Sequence, residues 1–140
     1  MTTTQPVQTT APDTSPVSVK RIGLAALAAL VVNLIVYAVA SAAGATWLAN
    51  GQTVAWFMVV LASVIPIAIG AGITVLLARR WTAAPRVMAW VGLAFALVTV
   101  PMPFLQSSDS TTSFALASMH VITGVAWFVA VLPRRAAAQS

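Results

Sequence analysis

Four long apolar stretches divide the chain, separated by short polar connections. Residues 22–43 are apolar except for Asn33, Tyr37 and Ser41, and the runs 54–78, 87–105 and 113–132 repeat the pattern. About 20 such residues, rising 1.5 Å each, cross a bilayer as one helix, so each run is expected to be a span. The connections 44–53, 79–86 and 106–112 are short enough to make successive helices run antiparallel. The predicted fold is an all-α polytopic membrane protein, an antiparallel bundle of four transmembrane helices occupying residues 20–135. Helix-end signals fit it. Gly44 and Gly51 lie in the first connection, Pro85 suits the first turn of the third helix, and Pro133 follows the fourth. Asp109, in a Ser/Thr cluster, is expected to cap the fourth helix rather than guide a cation. Pro66 predicts a kink in the second helix, and Pro101 and Pro103 a loosened end of the third.

Residues 1–19 are mostly Thr, Gln, Pro and Ser, too polar to offset the entropy of ordering, and are predicted to be a disordered cytoplasmic tail. Residues 136–140 are expected to be a disordered cytoplasmic C-terminus. Ala38-Val39-Ala40 resembles a signal-peptide cleavage site. The apolar run is longer than a signal segment and follows the polar tail, so it is read as a retained span.

Charge adds orientation. All seven Lys and Arg fall on one side of the four-span arrangement: Lys20 and Arg21 before the first span, Arg79, Arg80 and Arg86 between the second and third, Arg134 and Arg135 after the fourth. Short loops rich in Lys and Arg stay cytoplasmic. Both termini are therefore expected inside the cytoplasmic (inner) membrane, with the loops around Trp47 and Asp109 outside. Trp47 and Trp56 at the outer boundary and Trp81 at the inner one match interfacial aromatic belts, while Trp90 and Trp127 lie deeper and are assigned to packing. With 60% hydrophobic and 6% charged residues, and a mean hydropathy of +0.96, a water-soluble globule is excluded. The net charge of +5 comes with only two acids, so the basic balance reflects missing carboxylates, and no nucleic-acid partner is expected. The expected surroundings are the lipid bilayer, with a homo-oligomer or another membrane protein as partner.

Association within a bilayer depends on close packing and interhelical hydrogen bonds, which small residues favour. Each span offers such a face: Ala26, Ala29, Asn33, Tyr37, Ala40 and Gly44 on the first; Ser63, Pro66, Gly70 and Thr74 on the second; Ala89, Gly92, Ala96, Thr99 and Pro103 on the third; Ser113, Ala117, His120, Gly124 and Trp127, with Thr123 adjacent, on the fourth. Asn33 and Ser63 fall near mid-depth, and Thr99 and His120 roughly 10 Å below the outer boundary. These four form the candidate intramembrane polar cluster. His120 is the one ionisable side chain within a span, which makes it a site hypothesis and a proton-switch candidate. The simpler reading is a neutral imidazole bonded to Asn33, Thr99 or a backbone carbonyl. Both acids of the chain are Asp and neither lies within a span; with one His and no Cys, paired carboxylates, a Cys nucleophile and a multi-ligand metal or haem site cannot be assembled. No nucleotide-binding or nucleophile-elbow motif occurs. No catalytic residues, metal or cofactor are assigned, and an enzyme is not expected.

From Arg21 through Asn33, around Pro101 and Pro103, and from Ala117 to His120, the chain resembles a family of uncharacterised actinobacterial four-helix membrane proteins, a domain of unknown function of the DUF6069 type. The resemblance covers about residues 21–135 and implies a membrane location and a four-helix fold, but no activity. Small multidrug-resistance transporters fit less well, because their pattern places a carboxylate where this chain has Asn33. Fluoride channels share four spans and buried Asn but have a Gly- and Phe-rich pore motif not visible here. The expected role is a non-enzymatic accessory or scaffold subunit. The alternative is a small transporter, channel or pH-sensing protein with an outward-facing polar cavity around His120 and Asn33.

Overall fold

The computed structural model describes residues 17–133. Residues 1–16 of the predicted N-terminal tail, the predicted tail 136–140, and the cations Arg134 and Arg135 lie outside the described residues.

The helices are α1 (Val19–Ala42), α2 (Trp56–Ala78), α3 (Ala84–Thr99), α4 (Met102–Gln106) and α5 (Ser110–Val131). Ser18 opens α1 by accepting the Arg21 N–H at 3.3 Å. Asp109 opens α5, its Oδ1 accepting the Thr112 N–H at 2.7 Å, which satisfies an otherwise orphaned donor of the first turn. α2 runs through Pro66 without interruption. The Pro101-Met102-Pro103 sequence breaks the third apolar run into α3 and the five-residue α4, because neither proline has an N–H to continue the helical ladder. Counting α3 and α4 together, four helical stretches among the described residues are long and apolar enough to cross a membrane.

α5 is the hub. It packs along α3 on one side and α1 on the other, α1 also packs on α2, and α2 barely touches α5. Gly124 permits the α3–α5 approach: a Cβ there would lie 2.5 Å from the Ala96 Cβ. Two apolar clusters form the core. One, near the arginine-bearing end, contains Ile22, Ile67, Ala89, Trp127 and Val131. The other, at the opposite end, contains Ala40, Trp47, Val59, Ala115 and Met119. At the first of these ends Arg21 donates to the Val129 and Leu132 carbonyls, which supplies positive charge to the negative end of the α5 dipole.

The connection 44–53 departs from the all-α expectation. It holds a two-stranded antiparallel hairpin, β1 (Leu48–Ala49) and β2 (Gln52–Thr53), in the register Leu48↔Thr53 and Ala49↔Gln52. Asn50 and Gly51 have φ of 51° and 72°, the left-handed pair that a two-residue hairpin turn requires and that Asn-Gly supplies. The hairpin clasps the connection before α5. Asn50 N–H donates to Gln106 O at 2.9 Å and Ser108 N–H to Leu48 O at 3.0 Å, while Ala49 bridges Ser107.

Trp47 is consequently not an interfacial belt residue. It is 5% exposed, stacked on Tyr37 with ring centroids 4.2 Å apart; its indole N–H donates to Ser41 Oγ at 2.8 Å. Trp90, assigned from sequence to packing, is instead 57% exposed on the outer surface, touching Phe128 edge-on. Gly44, at φ 87°, has left the helix and lies exposed.

Candidate functional site: a cleft between α2 and α3

Trp127 explains why a cavity exists. Its indole reaches from α5 between α2 and α3, donates to Met88 O at 2.8 Å, and occupies space that only glycine leaves open. A Cβ at Gly92 would lie 2.1 Å from the indole nitrogen, and one at Gly70 would lie 2.8 Å from the far ring edge. Above this wedge α2 and α3 enclose a cavity of about 530 Å³, within the range typical of small-molecule sites. Met58, Ala62 and Pro66 line it from α2, Val91, Phe95 and Ala96 from α3, and Met119, His120 and Gly124 from α5. The wall is mainly apolar, and Phe95, 71% exposed, stands on its open side.

All four residues of the sequence-derived polar cluster, Asn33, Ser63, Thr99 and His120, line this cavity, but only two of them are bonded to each other. Asn33, 1% exposed, donates through Nδ2 to Ser63 Oγ at 2.8 Å and to Thr123 Oγ1 at 3.0 Å. One amide thereby ties α1 to α2 and α5. Ser63 spends its own proton on Val59 O at 2.7 Å. Because that hydroxyl is then an acceptor toward Asn33, the amide must face it with NH2. Asn33 Oδ1 is left buried with no hydrogen-bond partner.

His120 and Thr99 stand apart from this pair. His120 Nδ1 lies 2.7 Å from Leu116 O; a carbonyl only accepts, so Nδ1 carries the proton and Nε2 keeps its lone pair in the neutral ring. The bond is internal to α5 and ties no helices together. Thr99 directs its hydroxyl at Phe95 O and Ala96 O of its own helix, 3.1 and 2.8 Å away. Thr123 and Trp127, which the sequence places on or beside the His120 face but outside the polar cluster, also line the cavity. Their signal is helical spacing, three and seven residues after His120 on the same face of α5.

Of the apex hydroxyls, Ser63 and Thr99 donate to backbone carbonyls, while Thr123 Oγ1 accepts from Asn33 and keeps its own proton available. The cavity lining contains no carboxylate and no Lys or Arg. Among the described residues no group of three His, Asp, Glu or Cys side chains gathers to hold a metal ion. Such a site can select for a neutral hydrogen-bonding group and for apolar bulk; it holds no acid–base pair.

Outside the cleft, Asp109 organises the clasp. The Thr46 hydroxyl, and then the Thr112 N–H and hydroxyl, donate to its carboxylate and hold the carboxyl well below the usual carboxylate range.

Fold and site together define a mostly helical protein with four stretches long and apolar enough to span a membrane, and a largely apolar cleft with a polar apex. The chain belongs to a family of unknown function (DUF6069), whose pattern matches residues 13–138. No curated protein and no solved structure matches it.

Proposed function

We propose that the protein is a four-span integral protein of the cytoplasmic membrane, an antiparallel bundle with both termini cytoplasmic, acting as a non-enzymatic accessory or scaffold subunit. The observation that carries the topology is the sorting of charge. Lys20, Arg21, Arg79, Arg80 and Arg86 flank one set of helix ends, and the connections holding the hairpin and Asp109 have no cation. Cytoplasmic retention of Lys and Arg in short loops then orients the bundle. The exposed apolar surface of Leu24, Leu27, Val98 and Leu105 suits acyl chains or the helices of a partner, a second copy included.

Cysteine substitution tests the topology without native background, since the chain has no Cys. Cysteines at Gln52 and Ser108 are expected to react with an impermeant maleimide from outside, and one at Thr82 only from the cytoplasm. Reaction of Gln52 and Ser108 solely from the cytoplasm overturns the orientation. A second reading, transport or pH sensing, is favoured by the cavity around Asn33 and His120 and is separable from the first. A His120→Leu protein keeps its stability and its co-purifying partner under the scaffold reading, but loses pH-dependent binding or flux under the second.

A further inference from the structure

We infer that the α2–α3 cleft is a binding site for a neutral single-chain lipid whose head is a hydroxyl, the class of a long-chain alcohol. This rests on the membrane insertion proposed above, which sets the open side of the cleft against acyl chains.

Two independent observations select the ligand. The walls are apolar, with Met58, Pro66 and Phe95 at the exposed margin, so a hydrocarbon chain entering sideways meets surface like that of the lipid it leaves. Asn33 lines the cavity, and its Oδ1 is buried and unpartnered. A buried acceptor without a donor carries a desolvation cost that a ligand donor removes. The neighbouring Ser63 and Thr99 hydroxyls have given their protons to backbone carbonyls, and His120 has given its Nδ1 proton to Leu116 O. The apex therefore asks for an O–H through Asn33 Oδ1, and the oxygen of the same hydroxyl head can accept the proton of Thr123, which lines the cavity and donates to no carbonyl. A charged head is disfavoured, because no counter-charge lines the cavity and an unpaired buried charge is costly.

The test uses the full-length protein in lipid nanodiscs and a diazirine-bearing hexadecanol, with labelled peptides mapped by mass spectrometry. Labelling is expected on the segments 58–66 and 91–99. Hexadecanol should compete about tenfold better than its methyl ether or hexadecane, the ratio that one hydrogen bond of ordinary strength produces. Asn33→Leu removes that preference. Because Asn33 also bridges helices, Ala62→Phe provides a second arm, filling the mouth from the exposed side of α2 and abolishing labelling while leaving the bridge intact. Equal competition by hexadecane, labelling elsewhere on the helices, or labelling unaffected by Ala62→Phe overturns the inference. Failure of the cysteine topology overturns the membrane reading itself; a correct topology with no preference for the alcohol overturns this inference alone.

Discussion

Gly92→Ala is the smallest change that challenges the packing beneath the cleft. The added methyl would begin 2.1 Å from Trp127 Nε1 and 2.3 Å from Cδ1. The indole has no free direction of retreat: its nitrogen is bonded to Met88 O at 2.8 Å, and its far edge rests where Gly70 leaves room. Overpacking a filled site costs about 1–3 kcal/mol, and loss of the indole bond adds about 1 kcal/mol. The better helix propensity of Ala returns about 1 kcal/mol. The net expectation is a loss of about 1–3 kcal/mol, measured by denaturing-detergent titration in mixed micelles with helical circular dichroism as the signal. Gly23→Ala and Gly72→Ala are the controls, since a Cβ at either meets nothing within 4 Å; they should be neutral or slightly stabilising. The mechanism is tested by repeating Gly92→Ala in a Trp127→Phe background, where the penalty should shrink by at least about 1 kcal/mol. An unchanged penalty in that background, or a Gly92→Ala protein as stable as the parent, would falsify the wedge.

The clasp should respond to acid. Asp109 has a lowered folded-state pKa, through Thr46 first and Thr112 next, so its contribution is present above the ordinary Asp value of about 4 and is lost as pH falls through the lower folded value. The thermal midpoint should therefore drop in acid below about pH 4, and Asp109→Asn should flatten that part of the profile; an equally steep acid decline in the variant would remove Asp109 from the explanation. At the hairpin tip, Gly51 holds φ 72°, where a side chain costs about 1–2 kcal/mol. Gly51→Ala is expected to raise proteolytic nicking of residues 44–53 about tenfold under conditions where opening is in fast equilibrium. Nicking at the parent rate would show that the turn carries no such strain.

Much of the candidate site was legible because its ingredients are scarce. Asn33, Ser63, Thr99 and His120 stand out as polar groups in apolar runs, and helical spacing places each on the small-residue face of its own span. Their mutual bonding was not legible. Ser63 and Thr99 are free to bond either a neighbour or their own helix, and backbone carbonyls three or four residues back captured both protons, a local option always open to Ser and Thr in helices. The same competition took His120 to Leu116 O. Thr123, the remaining partner of Asn33, could be drawn from spacing only once α5 was known to face α1.

The sequence alone determined the number and order of the long apolar stretches and the sorting of charge to one set of their ends, because these depend on composition and period along a single strand of chain. It also held the Asn50-Gly51 turn, a local backbone preference that needs no partner to be read. Only the tertiary structure decided that Trp47 is buried under a clasp, that Trp90 faces outward, and that Trp127 parts α2 from α3 over two glycines to open a cavity. Those outcomes depend on which faces meet across the bundle. Side-chain volumes and hydrogen-bond donors are matched between elements distant in sequence, and periodicity within one helix carries no information about the shape of its neighbour.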